Sequence, residues 1–137
     1  MALGMLPQLA RLYWYTVEFG LMRDANAHNG VKIYGAGIVS SKGETLHSVE
    51  SAAPNRLAFD LDRVLRTRYR IDTFQKTYFV IDSFAQLFEA LGAGIASRLC
   101  DPAALIAAQP HAAGDVLHSD TIITRGTREG WLDDGDV

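Results

Sequence analysis

Apolar and polar residues alternate at helical spacing near the start of the chain. The positions that share one face are Leu9, Leu12, Tyr13 and Thr16. This spacing predicts a helix from about Pro7 to Phe19, with Gln8 and Arg11 on the solvent side and Gly20 as the C-cap. Glu18 falls in the last turn, where the negative end of the helix dipole disfavours a carboxylate. A glutamate among aromatic residues there indicates either an exposed side chain or a compensating cation, which a metal or an arginine could supply.

A turn and a β-hairpin are predicted after this helix. Asp, Asn and Gly residues favour a bend over residues 23–30. Val31 to Ser40 alternates as a strand does, and Thr45 to Val49 returns as a second strand after the turn at 41–43. Two glycines in the first strand, Gly35 and Gly37, would let the backbone approach another group closely.

The middle of the chain predicts a helix, a strand and a second helix. Apolar spacing over 59–65 marks a helix that begins near Asp60 or Asn55, and residues 73–81 end in an apolar strand. Ser83 is a favourable N-cap for the next helix, whose apolar stripe is expected to lie in the core. That stripe consists of Phe84, Leu87, Phe88 and Leu91.

The pattern weakens toward the end of the chain. Ile95 to Leu99 can continue the preceding helix, and Pro102 to Gln109 predicts a short helix capped by Asp101. Residues 111–137 are expected to lie on the body as an extended tail anchored by Trp131. The elements together predict one α+β domain over 1–137, mainly α-helical, with helices and a small β-hairpin over about 1–110.

Charge and composition exclude several classes of partner. The chain has 137 residues and a net charge of −3 with mixed signs, so no basic patch favours nucleic acid or an anionic membrane. One cysteine, Cys100, cannot form an internal disulfide, which fits a reducing compartment. The chain has neither a signal-peptide start nor an apolar run of ~20 residues. We expect a soluble cytoplasmic protein that binds neither nucleic acid nor membrane.

One local run of basic residues departs from this even charge distribution. It consists of Arg63, Arg66, Arg68 and Arg70. Such a run favours a solvated face, with ion pairs to Asp60, Asp62 and Asp72, over an anion-binding site.

Three motifs, LYWYTVEFGL at 12–21, KIYGAGIVSS at 32–41 and RYRIDTFQKTYFVIDSF at 68–84, carry a resemblance to a known family. They resemble the pterin-dependent aromatic amino acid hydroxylases, with the bacterial phenylalanine 4-hydroxylases as the nearest branch. The likeness runs from Leu3 to about Glu89 and resumes at 114–116 and 130–131. It implies the C-terminal part of the catalytic domain. The implied activity is hydroxylation of L-phenylalanine to L-tyrosine by O₂, with Fe(II) and tetrahydrobiopterin or a related reduced pterin.

The resemblance also implies roles for particular residues. It makes Glu18 the carboxylate ligand of the iron, puts Tyr13 close to the iron, and expects Ser40 to hydrogen-bond a histidine ligand. The residues implied to bind the amino acid are Trp14, Gly37, Ser40 and Glu44. Two histidine ligands belong to a His-x-x-x-x-His motif upstream of this region. The histidines present form no such pair, and they are His28, His47, His111 and His118.

Two interpretations remain open. In the first, the chain is a fragment of a phenylalanine 4-monooxygenase, or follows a mis-called start at Met1, and is inactive alone. In the second, it is a stand-alone, non-catalytic module that binds an amino acid or another partner. The chain lacks the tetramer-forming helix of the animal members, so we expect the full-length enzyme to be a monomer. The isolated chain is expected to self-associate through an apolar patch, formed by Tyr13, Trp14, Phe19 and Tyr34.

Overall fold

The computed structural model describes residues 3–131 and 136–137 and has an α+β architecture, as predicted. The α-helices are α1 Leu6–Tyr13, α2 Ala36–Val39, α3 Lys42–Val49, α4 Leu61–Leu65, α5 Phe84–Glu89, α6 Ile95–Leu99 and α7 Pro102–Ala107. The strands are β1 Leu21–Arg23, β2 Val31–Ile33, β3 Asn55–Ala58, β4 Thr77–Ile81 and β5 Ile122–Thr124. Wider, π-type turns extend α1 over Trp14–Glu18 and join α5 to α6 over Ala90–Gly94.

The strands of the described residues form one sheet in the order β2-β1-β4-β3-β5. β4 lies in the middle and runs parallel to both β1 and β3, while β2 and β5 pair antiparallel at the edges. Every residue of β4 is buried, which explains its four consecutive apolar residues, Tyr78 to Ile81. The predicted strand at the end of 73–81 is confirmed.

The hairpin predicted over Val31–Ser40 and Thr45–Val49 is wrong. Only Val31–Ile33 is extended, and it forms a hairpin with β1 instead. The expected second strand is helix α3. Its start is explained by Ser41, whose Oγ accepts a hydrogen bond from the backbone N–H of Glu44 over 3.2 Å. Ser41 and Glu44 have the S-x-x-E spacing of a helix capping box, a signal stronger than the short alternation that favoured a strand.

The core lies between the first helix and the sheet. Leu12 and Tyr15 pack with Leu57 and Phe79 of the central strands and with Leu65 of α4. The prediction that Gln8 lies on the solvent side of α1 is wrong, because Gln8 is buried. The apolar stripe of α5 was expected to lie in the core. Within that stripe only Leu87 is buried, and the other members are 43–65% exposed. Those members are Phe84, Phe88 and Leu91.

The arginine run is buried in part, contrary to the predicted solvated face. Arg63 donates from Nε and a terminal nitrogen to the two carboxylate oxygens of Asp120, over 3.0 and 3.2 Å. Arg70 pairs with Asp136 over 3.2 Å. Both arginines are less than 10% exposed, because they tie the C-terminal segment to the body. Asp62 pairs with Arg98 rather than with the run.

The C-terminal segment contributes strand β5 and the ring of Trp131. A Cβ on Gly114 would lie 2.3 Å from that ring, so only glycine allows the ring to pack so closely. α7 ends at Ala107, and Asp101 precedes it without a side-chain capping bond. No helix in the described ranges has the length and apolarity that crossing a bilayer requires.

Candidate functional site

The first helix widens at the residues that the sequence singled out. The backbone N–H of Phe19 donates to the carbonyl of Trp14, five residues earlier, over 2.8 Å. Such π-type turns are found frequently at functional sites. The helix predicted over Pro7–Phe19 is therefore present, but its last turn is not α-helical. Only glycine fits at residue 20, because a Cβ added there would lie 2.2 Å from the ring of Tyr34.

Glu18 lies at the end of this turn, against the segment that carries Gly35 and Gly37. A Cβ on Gly35 would stand 2.5 Å from the carbonyl oxygen of Glu18, and one on Gly37 would stand 2.8 Å from the carboxylate Oε2. The prediction that these glycines allow a close backbone approach is confirmed, and the group they approach is Glu18. The hydroxyl of Tyr13 donates to Oε1 of the same carboxylate over 3.2 Å. This bond is the largest cause of the raised pKa of Tyr13.

The Glu18 carboxylate is partly exposed, and no lysine or arginine of the described residues forms an ion pair with it. Within the same residues, no three His, Cys, Asp or Glu side chains come together to hold a metal ion. The site thus offers one oxygen ligand, oriented by a tyrosine hydroxyl. A carboxylate of this kind suits Fe(II) as one member of a two-histidine, one-carboxylate set. The other two ligands would have to come from outside the described residues.

An open cleft of about 480 Å³ lies beside Gly37. Its other lining residues are Phe19, Ser41, Glu44, Ile71, Asp72, Thr73 and Phe74. Two of the residues predicted to bind the amino acid, Gly37 and Glu44, therefore share one cavity. Phe19 was missed as a candidate, although its position directly after Glu18 in the motif would have justified naming it.

Trp14 is enclosed by other aromatic rings. Its ring lies 4.7 Å from that of Phe19 and is stacked on Tyr69 at 4.6 Å between centroids. Phe19, rather than Trp14, lines the cleft, so Trp14 supports the aromatic wall from behind. Direct contact between Trp14 and a bound amino acid stays a prediction.

Ser40 closes the short helix α2 and is exposed. Its Oγ donates to the carbonyl of Gly37 over 3.1 Å, which holds the turn that faces Glu18. The neighbouring Ser41, rather than Ser40, lines the cleft. The predicted hydrogen bond from Ser40 to a histidine ligand stays a prediction, because its Oγ bonds only to the carbonyl of Gly37 among the described residues.

Glu44 is buried at the base of the cleft, in the first turn of α3. The hydroxyl of Tyr78 and the backbone N–H of Gln75 donate to its Oε2, the latter over 3.3 Å. Burial raises the pKa of the Glu44 carboxyl, and the two hydrogen bonds counteract part of that rise. The sequence marked Tyr78 as a strand residue, and its role as a partner of Glu44 required the parallel sheet to be known.

His47 lies behind the cleft wall. Its Nε2 is 2.9 Å from the carbonyl oxygen of Gln75, and its ring stacks on Phe74 with 4.8 Å between centroids. Burial lowers the pKa of the imidazole, with a further contribution from the charge of Arg56. The imidazole of His47 therefore contacts the backbone of Gln75 and the ring of Phe74, and it does not line the cleft.

The chain is similar to known proteins over most of its length. The family described as biopterin-dependent aromatic amino acid hydroxylase matches residues 4–122. The phenylalanine-4-hydroxylase of Chromobacterium violaceum is 57% identical over 136 residues, which cover 99% of this chain and 44% of that protein. The phenylalanine-4-hydroxylase of Ralstonia nicotianae is 56% identical over 135 residues, covering 98% of this chain and 41% of that protein.

The fold is also similar to a solved structure. The C. violaceum phenylalanine hydroxylase with bound iron(III) and oxidised 7,8-dihydrobiopterin matches with a TM-score of 0.74 and 57% identity. The match covers 89% of this chain and 41% of that one. The chain thus spans less than half the length of the relatives it matches.

Proposed function

This chain belongs to the biopterin-dependent aromatic amino acid hydroxylases, and we propose that it forms part of a phenylalanine 4-monooxygenase. Such an enzyme hydroxylates L-phenylalanine to L-tyrosine with O₂, non-haem iron and tetrahydrobiopterin or a related reduced pterin. The observation that carries the proposal is the carboxylate of Glu18, which lies beside Gly37 at the edge of a cleft lined by Phe19. An oxygen ligand next to an aromatic-walled cavity is the part of such a site that this chain would supply.

Glu18 would hold the iron through its carboxylate, and Tyr13 would keep that carboxylate oriented by donating to Oε1. The iron and the reduced pterin, when bound, supply the electrons that activate O₂ for attack on the aromatic ring. The other two iron ligands are proposed to be histidines of the enzyme outside this chain. With one ligand of three, the isolated chain should neither retain iron nor turn over.

The cleft is proposed to hold the amino acid. Phe19, Ile71 and Phe74 offer an apolar wall for the phenyl ring, and Glu44 offers a polar group at the base. Trp14 would contribute to binding indirectly, because its ring packs against Phe19 and holds that side chain in place. Ser40 would act through Gly37, whose carbonyl accepts a hydrogen bond from the Ser40 hydroxyl.

A fused protein tests this function. It joins residues 1–137 to the part of the C. violaceum phenylalanine-4-hydroxylase that the chain does not match, and it is referred to below as the fused protein. We expect it to bind iron stoichiometrically and to hydroxylate L-phenylalanine. Glu18→Ala should remove iron and activity together, and Glu18→Asp should retain part of both, because the charge remains while the reach shortens.

Glu89→Ala is the matched control, since Glu89 is an exposed carboxylate on α5. Iron content by metal analysis and tyrosine formation are measured side by side. Normal iron content and turnover in Glu18→Ala would reject the ligand role. A folded fused protein that takes up no iron would favour a non-catalytic module.

A further inference from the structure

The carboxylate of Asp136 joins the C-terminal segment to Arg70, Lys76 and Ala113. Its Oδ1 lies 3.2 Å from a terminal nitrogen of Arg70 and 3.5 Å from the ammonium nitrogen of Lys76. Its Oδ2 accepts a hydrogen bond from the backbone N–H of Ala113 over 2.9 Å. The side chains of Arg70 and Lys76 are 4% and 10% exposed, and that of Asp136 is 15% exposed. Water and salt therefore screen these ion pairs less than they screen pairs on the surface.

Arg70 and Lys76 flank a loop that forms one wall of the cleft beside Gly37. The loop belongs to no helix or strand, so its position depends on how its two ends are held. The side chain of Gln75 exchanges two hydrogen bonds with the backbone of Arg70, over 2.7 and 3.2 Å. Asp136 holds Arg70 and Lys76 through a single oxygen atom, which fixes both ends of the loop relative to the C-terminal segment. The loop contributes four consecutive lining residues, which are Ile71, Asp72, Thr73 and Phe74.

The neighbouring residue, Val137, is connected to another wall of the cleft. Its backbone N–H donates to the carbonyl of Tyr69 over 2.7 Å, and the N–H of Tyr69 donates back over 3.0 Å. The ring of Tyr69 stacks on Trp14, which in turn packs against Phe19 in the cleft wall. Residues 136 and 137 thus contact the supports of two walls, although Asp136 does not itself line the cleft.

We propose that Asp136 is a positioning residue for the reaction, which holds the loop of residues 71–74 at the spacing from Phe19 that the bound substrate requires. The inference rests on the proposed function, because it takes the cleft as the substrate site. Without this carboxylate, two nearly buried cations lose a partner, and the loop gains freedom that substrate binding must then remove. The contacts of Asp136 do not include Glu18, so iron binding should be unaffected.

The first arm of the test measures the steady-state kinetics and iron content of the fused protein with Asp136→Asn. This change keeps the shape of the side chain and removes its charge. KM for L-phenylalanine should rise about tenfold, with kcat and iron content within about twofold of the parent, because substrate binding is lost rather than the chemical step. Asp136→Glu should recover part of the loss, since the charge returns.

Asp120→Asn is the matched control for a purely structural effect. It removes an ion pair that is buried more deeply, with Arg63 over 3.0 Å, and that fastens the C-terminal segment to α4 instead of to the loop. It should lower the melting temperature and leave KM at the value of the parent. An equal rise of KM in Asp120→Asn and Asp136→Asn would overturn the positioning role.

The second arm observes the loop without substrate, by limited proteolysis of the folded fused protein. Trypsin can cleave after Arg70 only when that side chain leaves its buried ion pair. The rate of cleavage follows the population in which the loop is released. Cleavage at this bond, identified by mass spectrometry, should be faster in Asp136→Asn than in the parent or in Asp120→Asn. An unchanged rate would overturn the claim that Asp136 holds the loop.

The outcomes separate this inference from the function on which it rests. Faster cleavage with an unchanged KM would overturn the positioning role while the proposed function stands. A folded parent fused protein that does not hydroxylate L-phenylalanine would overturn the proposed function, and the positioning role with it.

Lys76→Met covers the case in which Asp136→Asn does not fold. It removes one of the two ion pairs and keeps the pair between Asp136 and Arg70. KM should therefore rise less than in Asp136→Asn, and a KM equal to that of the parent would overturn the proposal.

Discussion

A Cβ added to Gly37 would lie 2.8 Å from Oε2 of Glu18 and 2.9 Å from the backbone oxygen of the same residue. The first contact could be relieved by moving the carboxylate, but the second involves the backbone and resists adjustment. The position of the Glu18 side chain is therefore coupled directly to the absence of a side chain at residue 37.

Gly37→Ala is expected to lower the iron affinity of the fused protein, because the added methyl group displaces the Glu18 carboxylate. Iron content after dialysis, measured alongside thermal unfolding, separates displacement from a general loss of structure. Gly92→Ala is the matched control, since a Cβ at Gly92 meets no atom within 4 Å. Full iron retention in Gly37→Ala would show that the carboxylate tolerates the move.

The adjacent serines should respond differently to removal of the hydroxyl group. Ser41→Ala in the fused protein should lower the free energy of unfolding by about 1 kcal/mol, because the N-cap of α3 is lost. Ser40→Ala should leave stability nearly unchanged and reduce turnover or iron affinity by ~10–100-fold if Ser40 orients a ligand. Urea denaturation and kinetics measure the two effects. Unaltered kinetics and iron content in Ser40→Ala would make Ser40 a turn residue only.

His47 should contribute to acid sensitivity. Its folded-state pKa lies below the ordinary value of 6.5, chiefly because the ring is buried. The neutral ring thus contributes stability above pH 6.5, and this stability is lost as the pH falls through the lower folded-state pKa. We expect the unfolding free energy of the fused protein to fall less between pH 7.5 and 5.5 in His47→Gln than in the parent.

His28→Gln serves as the control for that measurement, because His28 is exposed in the turn before β2. It should keep the pH dependence of the parent protein. If the unfolding free energy of His47→Gln falls with pH as steeply as that of the parent, another group causes the acid sensitivity.

The isolated 137-residue chain is expected to self-associate. Tyr13 is 54% exposed, Val17 45% and Phe88 65%, and apolar surface of this kind favours association at about 25 cal/mol per Å² buried. The other expected members of the patch, Trp14, Phe19 and Tyr34, are partly buried. Sedimentation velocity and binding of a hydrophobic dye test the expectation. A monodisperse, dye-free monomer with cooperative unfolding would instead favour a self-sufficient module.

Local signals predicted the elements that depend on neighbouring residues. The period of the first helix, the apolar run of β4 and the Ser83 cap, whose Oγ accepts the N–H of Gln86, all appear in the structure. The hairpin over 31–49 failed because the alternation over Val31–Ser40 favoured a strand, while the capping signal at Ser41 was not considered. Periodicity in a short window cannot distinguish a strand from a helix without its cap.

Features that depend on tertiary contacts could not be predicted from the local sequence pattern. The parallel pairing of β4 with β1 and β3 joins residues more than twenty positions apart, and nothing in the spacing selects that order. Arg63 carries the same charge as the exposed Arg68, yet it is buried because Asp120 lies opposite. Glu18 was identified by its motif, whereas the roles of Phe19 and Tyr78 depend on which faces the fold brings to the cleft.

The hydrogen bonds that join β3 and α4 to the C-terminal segment affect when a newly synthesised chain can fold. Arg56 donates to Thr124, and Arg63 to Asp120, so two guanidinium groups depend on residues translated some sixty positions later. Until those residues leave the ribosome, burying either arginine would leave donors unsatisfied at a cost of several kcal/mol. Native packing of β3 and α4 therefore has to wait for the late segment to emerge. In the interval, the apolar residues of β4 are expected to be exposed to chaperones.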